Sequence, residues 1–251
     1  MGRICFVAVL FLISSMHEIA FADEGAVQNS PENKQECLQG SCTKTPAQLF
    51  KELGFKEDQQ AALTYKHIPA NVQALACSAS DQQADCKMYM AGFADTVAMM
   101  YAMNSNSSGV CGDTSDLMHE FIHAVQENPK AREAETHKLL FALLAKNHSC
   151  KTVQERGYSY LTVGSLIDIC KAGDIGYGLC SQYEAGFISA LLFISERTET
   201  AVLCGDRRLI NSVSLSNMLN EKQQEDYKVR RDSAVKVMSK ELMSVMPCSN
   251  Q

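Results

Sequence analysis

Two histidines and a glutamate near the middle of the chain have the spacing of a catalytic zinc site. The string His119-Glu120-Phe-Ile-His123 fits the His-Glu-x-x-His pattern, in which both histidines bind zinc and the glutamate acts as general base. On a helical wheel, however, the apolar residues of this segment form one side and both histidines fall on the opposite, solvated side. No third ligand is evident nearby in the sequence. We therefore predict surface histidines, with no catalytic residue, metal or cofactor, and rank a zinc hydrolase third among the possible functions.

Cysteine is the other residue type that could do chemistry here. The sequence has 11 cysteines, and Cys5 lies in an apolar N-terminal run, which leaves an even number. Zinc clusters commonly use Cys-x-x-Cys pairs, and this spacing occurs nowhere in the chain. Exported chains that are rich in cysteine usually carry disulfides. We therefore predict disulfide bonds.

The cysteines form a frame that appears twice. Gaps of 9, 25 and 39 positions separate the four cysteines of the first copy, and gaps of 10, 24 and 44 those of the second. They are Cys77, Cys86, Cys111 and Cys150, and then Cys170, Cys180, Cys204 and Cys248. A shared Cys-x-x-Tyr-x-Ala-Gly-Phe string supplies Tyr89, Gly92 and Phe93, and then Tyr183, Gly186 and Phe187. Such self-similarity predicts two tandem modules, covering residues 46–150 and 151–251.

Three helices in each copy are needed to position these residues. Apolar spacing predicts helix A over residues 86–104, helix B from 114 or 115 to 127, and helix C through 139–144 to an end between 147 and 150. In the second copy the corresponding ranges are 181–196, 215–224 and 231–246. Strand alternation of any length is missing from the sequence. The predicted class is all-α, with about three to four helices in each small disulfide-braced module.

A glycine lies at the matching place inside helix A of both copies. Glycine in a helix interior costs about 1 kcal/mol against alanine, so its repetition at Gly92 and Gly186 indicates close approach of another helix. Tyr89 and Tyr183 are predicted to be core residues whose hydroxyls find a partner. We read this motif as structural and not as a binding site.

Helix length ranks the possible disulfide pairings. Helix A, at about 19 residues, is roughly 28 Å long, so Cys86 at its start cannot reach Cys111 beyond its end. In an up-down-up arrangement helix C ends near the end of helix A. The predicted pairs are therefore Cys77–Cys86, Cys111–Cys150, Cys170–Cys180 and Cys204–Cys248, with Cys37 and Cys42 closing a small loop in the leader.

The N-terminal residues have the pattern of an export signal. Arg3 precedes an apolar run over residues 4–16, and Ala20-Phe-Ala22 fits the small-x-small cleavage rule. The run is shorter than the ~20 residues of a membrane-spanning helix. We expect a signal peptide over 1–22, a flexible polar leader over 23–45, and a periplasmic or secreted product that has no membrane contact after cleavage. The net charge of −6 argues against a nucleic-acid partner.

The duplicated frame resembles the Rap/Tai-type immunity family of type VI secretion. The matching residues in the first copy are the Cys86 string with Asp95, then Cys111, Pro129 and Cys150, and the likeness covers about residues 70–150 and 165–248. The second copy ends similarly, at Met246-Pro-Cys248. It departs from the family where Ser189 stands in place of Asp95, and it lacks a counterpart of Pro129.

This resemblance implies an inhibitor and not an enzyme. Proteins of that family are small periplasmic helical proteins, often dimers, that bind peptidoglycan amidase effectors from neighbouring bacteria and block the active-site cleft. A protein partner of this kind is expected, with the two copies acting as a pseudo-dimer within one chain or the chain forming a homo-oligomer. The exposed loops over residues 105–110 and 205–214 are the first places to look for binding. The alternative is a general periplasmic helical binding or stress protein without a dedicated effector.

Overall fold

The computed structural model describes residues 68–103, 109–150, 158–198 and 212–245, and these residues are all-α. The helices of the first copy are α1 (Ala70–Ser78), α2 (Gln83–Met103), α3 (Leu117–Glu127), α4 (Pro129–Glu133) and α5 (Thr136–Asn147). Those of the second are α6 (Val163–Cys170), α7 (Gly173–Thr198), α8 (Ser212–Glu225), a 3-10 helix (Tyr227–Arg231) and α9 (Ala234–Val245). Extended pairing in these ranges is limited to isolated bridges.

Both copies have the same order of elements and the same backbone bridge. In each, the residues before the first helix pair with those before the last helix, as Pro69 with Glu135 and Thr162 with Ser233. The flanking amides donate in the same way, with N···O distances of 2.7–2.9 Å; the pairs are Ala70 to Ala134, Thr136 to Ile68, Val163 to Asp232 and Ala234 to Leu161. The sequence repeat is therefore also a repeat of backbone hydrogen bonds. Whether each copy folds as a separate module stays a prediction.

Helices A, B and C of the first copy lie close to their predicted ranges, but the second copy departs from prediction at two places. Helix A of that copy, α7, begins at Gly173 and not at residue 181, so Cys180 lies within the helix. Gly176 and Gly178 lower helix propensity there, which hid the helix in the sequence. Arg231 belongs to the 3-10 helix, and α9 begins only at Ala234. The short helices α4 and α6 were not predicted.

Three of the predicted disulfides are present. They join Cys77 to Cys86, Cys111 to Cys150 and Cys170 to Cys180. Such bonds are typical of an oxidising compartment. The predicted Cys204–Cys248 and Cys37–Cys42 bonds, the signal peptide and the leader lie outside the described residues.

The packing centre is the crossing of α2 with α7. The apolar cluster of the first copy takes in residues of α7, namely Ala185, Ala190, Phe193 and Ile194. The cluster of the second copy takes in Met99 of α2 in return. Each core is therefore completed by the long helix of the other copy. None of the helices in the described ranges combines the length and apolarity that a membrane crossing needs.

Candidate functional site

The two repeated glycines lie where α2 and α7 touch. A Cβ atom on Gly92 would collide with the carbonyl oxygen of Tyr183, and a Cβ on Gly186 would collide with that of Tyr89. The contact is reciprocal, because each glycine meets the tyrosine of the other copy's string. Only glycine permits this backbone approach. The predicted motif thus forms a single feature, the glycine crossing of α2 and α7.

The two tyrosine hydroxyls also reach across the crossing, and their partners differ. Tyr183 donates to Asp95 Oδ2 at 2.5 Å, and both residues are buried. The Tyr89 hydroxyl of the first copy is hydrogen-bonded to the Ser189 hydroxyl of the second copy. Ser189 occupies the position that matches Asp95 of the first copy. A hydroxyl therefore replaces a carboxyl as the partner of one of the two matching tyrosines.

Asp95 is the centre of a buried polar network that includes the segment between the copies. The amide of Leu161 donates to Asp95 Oδ2 at 3.0 Å, and the Tyr158 hydroxyl is also hydrogen-bonded to this carboxyl. Tyr158 in turn lies 3.3 Å from Thr114 Oγ1. Burial raises the pKa of Asp95, although these hydrogen bonds act in the opposite direction. With Asp95 only 4% exposed, the network is suited to holding the second copy on the first and not to proton exchange with a substrate.

Glu184 is a second buried carboxyl, and it was missed in the sequence. It is 1% exposed, its Oε1 lies 3.8 Å from Cys180 Sγ, and its Oε2 has no hydrogen-bond partner among the described residues. A disulfide sulfur carries no hydrogen, so the carboxyl must be the donor. Burial raises the pKa of Glu184 to about 9, which keeps it protonated at neutral pH. The sequence did contain a signal for this burial, because the matching position of the first copy holds the apolar residue Met90.

The His-Glu-x-x-His string lies on α3 with both histidines exposed, on the solvated side predicted for them. His123 Nε2 lies 3.1 Å from Glu127 Oε1 within the same helix. Glu120 accepts a hydrogen bond from Asn147 Nδ2 at 2.9 Å and lies 3.2 Å from His148 Nε2. The glutamate thus joins α3 to the end of α5. Within the described ranges, no three His, Cys, Asp or Glu side chains form a group that could hold a metal ion.

The loops expected to bind a partner are only partly described. Gly109 and Val110, the last two residues of the first loop, are buried, and Val110 pairs with Ser149 beside the Cys111–Cys150 bond. The last three residues of the second loop, 212–214, belong to α8. Gly109 and Val110 are therefore not exposed as expected, and residues 212–214 are helical and not part of a loop. Residues 105–108 and 205–211 lie outside the described ranges.

An exposed aromatic residue beside a fixed arginine forms a surface that the sequence did not reveal. Tyr227 is 75% exposed, and the guanidinium carbon of Arg230 lies 5.8 Å from the centre of its ring. Arg230 is held by Asp168 Oδ2 at 2.7 Å and by Gln223 Oε1 at 2.6 Å. We name Tyr227 and Arg230 the tyrosine–arginine surface. The matching element in the first copy, α4, begins with Pro129.

Comparison with known proteins does not identify the chain. No family model matches the sequence, and no curated protein or solved structure matches it at a significant level. The likeness to the immunity family therefore depends on the residues quoted above and stays a prediction.

Proposed function

We propose that this chain is a periplasmic inhibitor that binds a peptidoglycan amidase-type effector, and that it is not an enzyme. The observation that carries the proposal is the duplicated frame, whose tyrosines and glycines all lie at one helix crossing. Because this motif is buried, it braces the fold and leaves contact with a partner to the exposed surfaces. The disulfides support action in an oxidising compartment.

The crossing also supports the pseudo-dimer part of the proposal. Each copy completes the core of the other, and each tyrosine finds its hydroxyl partner on the opposite copy. The two copies of one chain thereby bury against each other a surface that single-copy chains could bury only by forming a dimer. We therefore expect the two copies of one chain to act together as the pseudo-dimer.

The tyrosine–arginine surface is the best-supported contact for the effector. Tyrosine and arginine, with tryptophan, are the residue types enriched at the binding hot spots of protein interfaces. Arg230 is already held by Asp168 and Gln223, so little side-chain entropy is lost when a partner binds. The surface belongs to the second copy alone, which makes that copy the expected binding face.

The test is binding and protection with secreted amidases encoded beside this gene. Calorimetry with the purified full-length mature chain should show a tight one-to-one complex, and co-expression should prevent lysis by the amidase. Tyr227→Ala should weaken binding by about 30-fold, whereas Pro129→Ala, at the matching exposed position, should leave it unchanged. Absence of both binding and protection would defeat the inhibitor function. Equal affinities for the two variants would move the contact elsewhere and leave the function standing.

A general stress or binding protein is the second candidate, and the buried carboxyls favour it. Burial raises the pKa of both Asp95 and Glu184, so folding takes up protons and mild acid favours the folded state. This would let the chain keep its fold in mild acid, where an acid-stress protein would meet unfolded clients. Suppression of aggregation of several unrelated unfolded proteins, stronger at pH 5 than at pH 7, would support this function, while strict dependence on one amidase would reject it.

A further inference from the structure

The two small disulfide rings at the start of the long helices have different surroundings. In the first copy, Cys77 and Cys86 are both buried, at 0% and 4% exposure. The Gln73 amide lies against both sulfurs, with Nε2 3.5 Å from one Sγ and 3.7 Å from the other. In the second copy, Cys170 is partly exposed and Cys180 is buried, at 1%. An attacking thiol therefore has better access to the second ring.

The polar residue next to the disulfide ring also lies at a different sequence position in each copy. The residue four positions before the first cysteine is Gln73 in one ring and Leu166 in the other. The residue four positions after the second cysteine is Met90 in one ring and Glu184 in the other. The first ring thus has an amide over both sulfurs, and the second has a carboxyl at the buried sulfur alone.

We propose that the Cys170–Cys180 bond undergoes thiol–disulfide exchange with a dithiol, and that Glu184 donates the proton to the departing Cys180 sulfur. The geometry matches this assignment in two respects. Cys170 is the partly exposed cysteine of the ring and Cys180 is 1% exposed, so a thiolate is expected to attack at Cys170. The sulfur released is then the one that lies 3.8 Å from Glu184 Oε1.

The first step forms a mixed disulfide. A thiolate of the dithiol attacks Cys170 Sγ, a new S–S bond forms there, and the electron pair of the Cys170–Cys180 bond moves to Cys180 Sγ. Glu184 transfers its proton to that sulfur, which leaves a thiol and a carboxylate. The pKa of Glu184, raised by burial to about 9, is close to that of an ordinary thiol, so the transfer is nearly balanced.

The second step releases the reduced protein. The second thiol of the dithiol loses its proton to solvent and attacks the dithiol sulfur that is bonded to Cys170. Cys170 leaves as a thiolate and is protonated by water. Glu184 regains its proton from water. In sum, the dithiol is oxidised to a disulfide, and the Cys170–Cys180 disulfide is reduced to two thiols, with two electrons and two protons transferred.

The experiment measures the opening of each disulfide in the full-length mature chain. Dithiothreitol is added under native conditions at neutral pH, samples are quenched with an alkylating reagent, and peptide mapping follows each bond over time. Cys170–Cys180 should open at least tenfold faster than Cys77–Cys86 and than Cys111–Cys150, in which Cys111 is also partly exposed and which therefore shows what exposure alone contributes. The circular dichroism signal of the helices, followed in parallel, reports that the protein remains folded. Equal rates for the three bonds, or opening only together with global unfolding, would overturn the proposal.

Variants of Glu184 test the proton donor. Glu184→Met, the residue of the first copy, and Glu184→Gln, which keeps the shape, should each slow opening of Cys170–Cys180 by about tenfold or more. The opening rate per attacking thiolate should fall above about pH 9 in the natural chain and stay level in both variants. Met90→Leu is the matched control and should change neither ring. Unchanged rates in both Glu184 variants would show that the carboxyl donates no proton.

Discussion

The two copies are alike where backbone meets backbone and differ where a buried side chain is polar. Both have the bridge before the last helix, the ring of two cysteines and the glycine at the crossing. They differ in the partner of the crossing tyrosine, which is Asp95 in one direction and Ser189 in the other, and in the residue after that tyrosine, which is Met90 or Glu184.

This difference shows which parts of the repeat can diverge. A backbone contact such as that of Gly92 leaves no room for another residue, whereas a buried polar group can be exchanged if its partner is also provided for. At the position of Glu184 the first copy has an apolar residue, Met90. Chemistry that is unique to one copy is therefore expected at the positions where the copies disagree.

The largest expected effect is on the pH dependence of stability, and it comes from Glu184. Its pKa is about 9 in the folded protein, against an ordinary value of 4.5. Between these values the folded state holds a proton that the unfolded chain has released, so the free energy of unfolding falls as pH rises and levels off above about pH 9. The loss should be about 1.4 kcal/mol per pH unit, or about 4 kcal/mol from pH 5 to pH 8.

Glu184→Met makes the second copy like the first and should remove this contribution, leaving the slope that comes from Asp95, whose pKa burial also raises. Urea unfolding at a series of pH values measures it in both chains, with Met90→Leu as the control that keeps the slope. A variant with the slope of the natural chain would show that Glu184 is ionised in the folded protein.

The next effect concerns the glycine crossing, where the copies should behave alike. Gly92→Ala and Gly186→Ala each drive a Cβ into a carbonyl oxygen, which should cost about 3 kcal/mol of stability. Gly178→Ala is the control within α7, because among the described residues a Cβ there meets nothing within 4 Å. It should stabilise the protein by up to about 1 kcal/mol. Urea midpoints compare the three, and a crossing variant no worse than the control would mean that α2 and α7 are farther apart in solution.

A smaller effect should separate the two tyrosines. Tyr183→Phe removes a hydrogen-bond donor from the buried carboxyl of Asp95 and should cost about 2 kcal/mol. Tyr89→Phe removes the hydrogen-bond partner of the Ser189 hydroxyl and should cost about 1 kcal/mol. Thermal unfolding of the two variants, made singly and together, measures the difference. Equal losses of stability in the two variants would mean that Asp95 and Ser189 are equivalent partners, and that the two tyrosines do not differ.

The smallest effect is expected in the His-Glu-x-x-His string, which only the first copy has. Glu120→Ala should cost about 1 kcal/mol, because Asn147 and His148 lose their acceptor at the end of α5. His123→Ala, on the exposed face, should change stability by less than about 0.5 kcal/mol. Metal analysis of protein purified without a histidine tag provides the further check. Stoichiometric zinc that is lost in His123→Ala would restore the zinc hydrolase function and contradict the inhibitor.

Local patterns predicted much of the fold. Spacing of three and four predicted the helices of the first copy well, and helix length predicted the three described disulfides, since both depend on residues close in the chain or on the reach of one helix. The predicted start of α7 was wrong, because the glycines in its first turns lower helix propensity. The helix is stabilised there by packing against Ile169 and by the Cys170–Cys180 bond. Intrinsic propensity is too weak to decide such a segment.

The candidate site depended more on tertiary contacts. The sequence by itself determined that Gly92 and Gly186 needed a close neighbour, that the tyrosines needed partners and that His119 and His123 faced solvent. Only the tertiary structure decided that each glycine's neighbour is the other copy, that Asp95 belongs to Tyr183, and that Glu184 is buried against a disulfide. The physical reason is that helical periodicity determines which side chains share a face, whereas the helix that covers that face, and with it the solvation of each carboxyl, is set by contacts between distant parts of the chain.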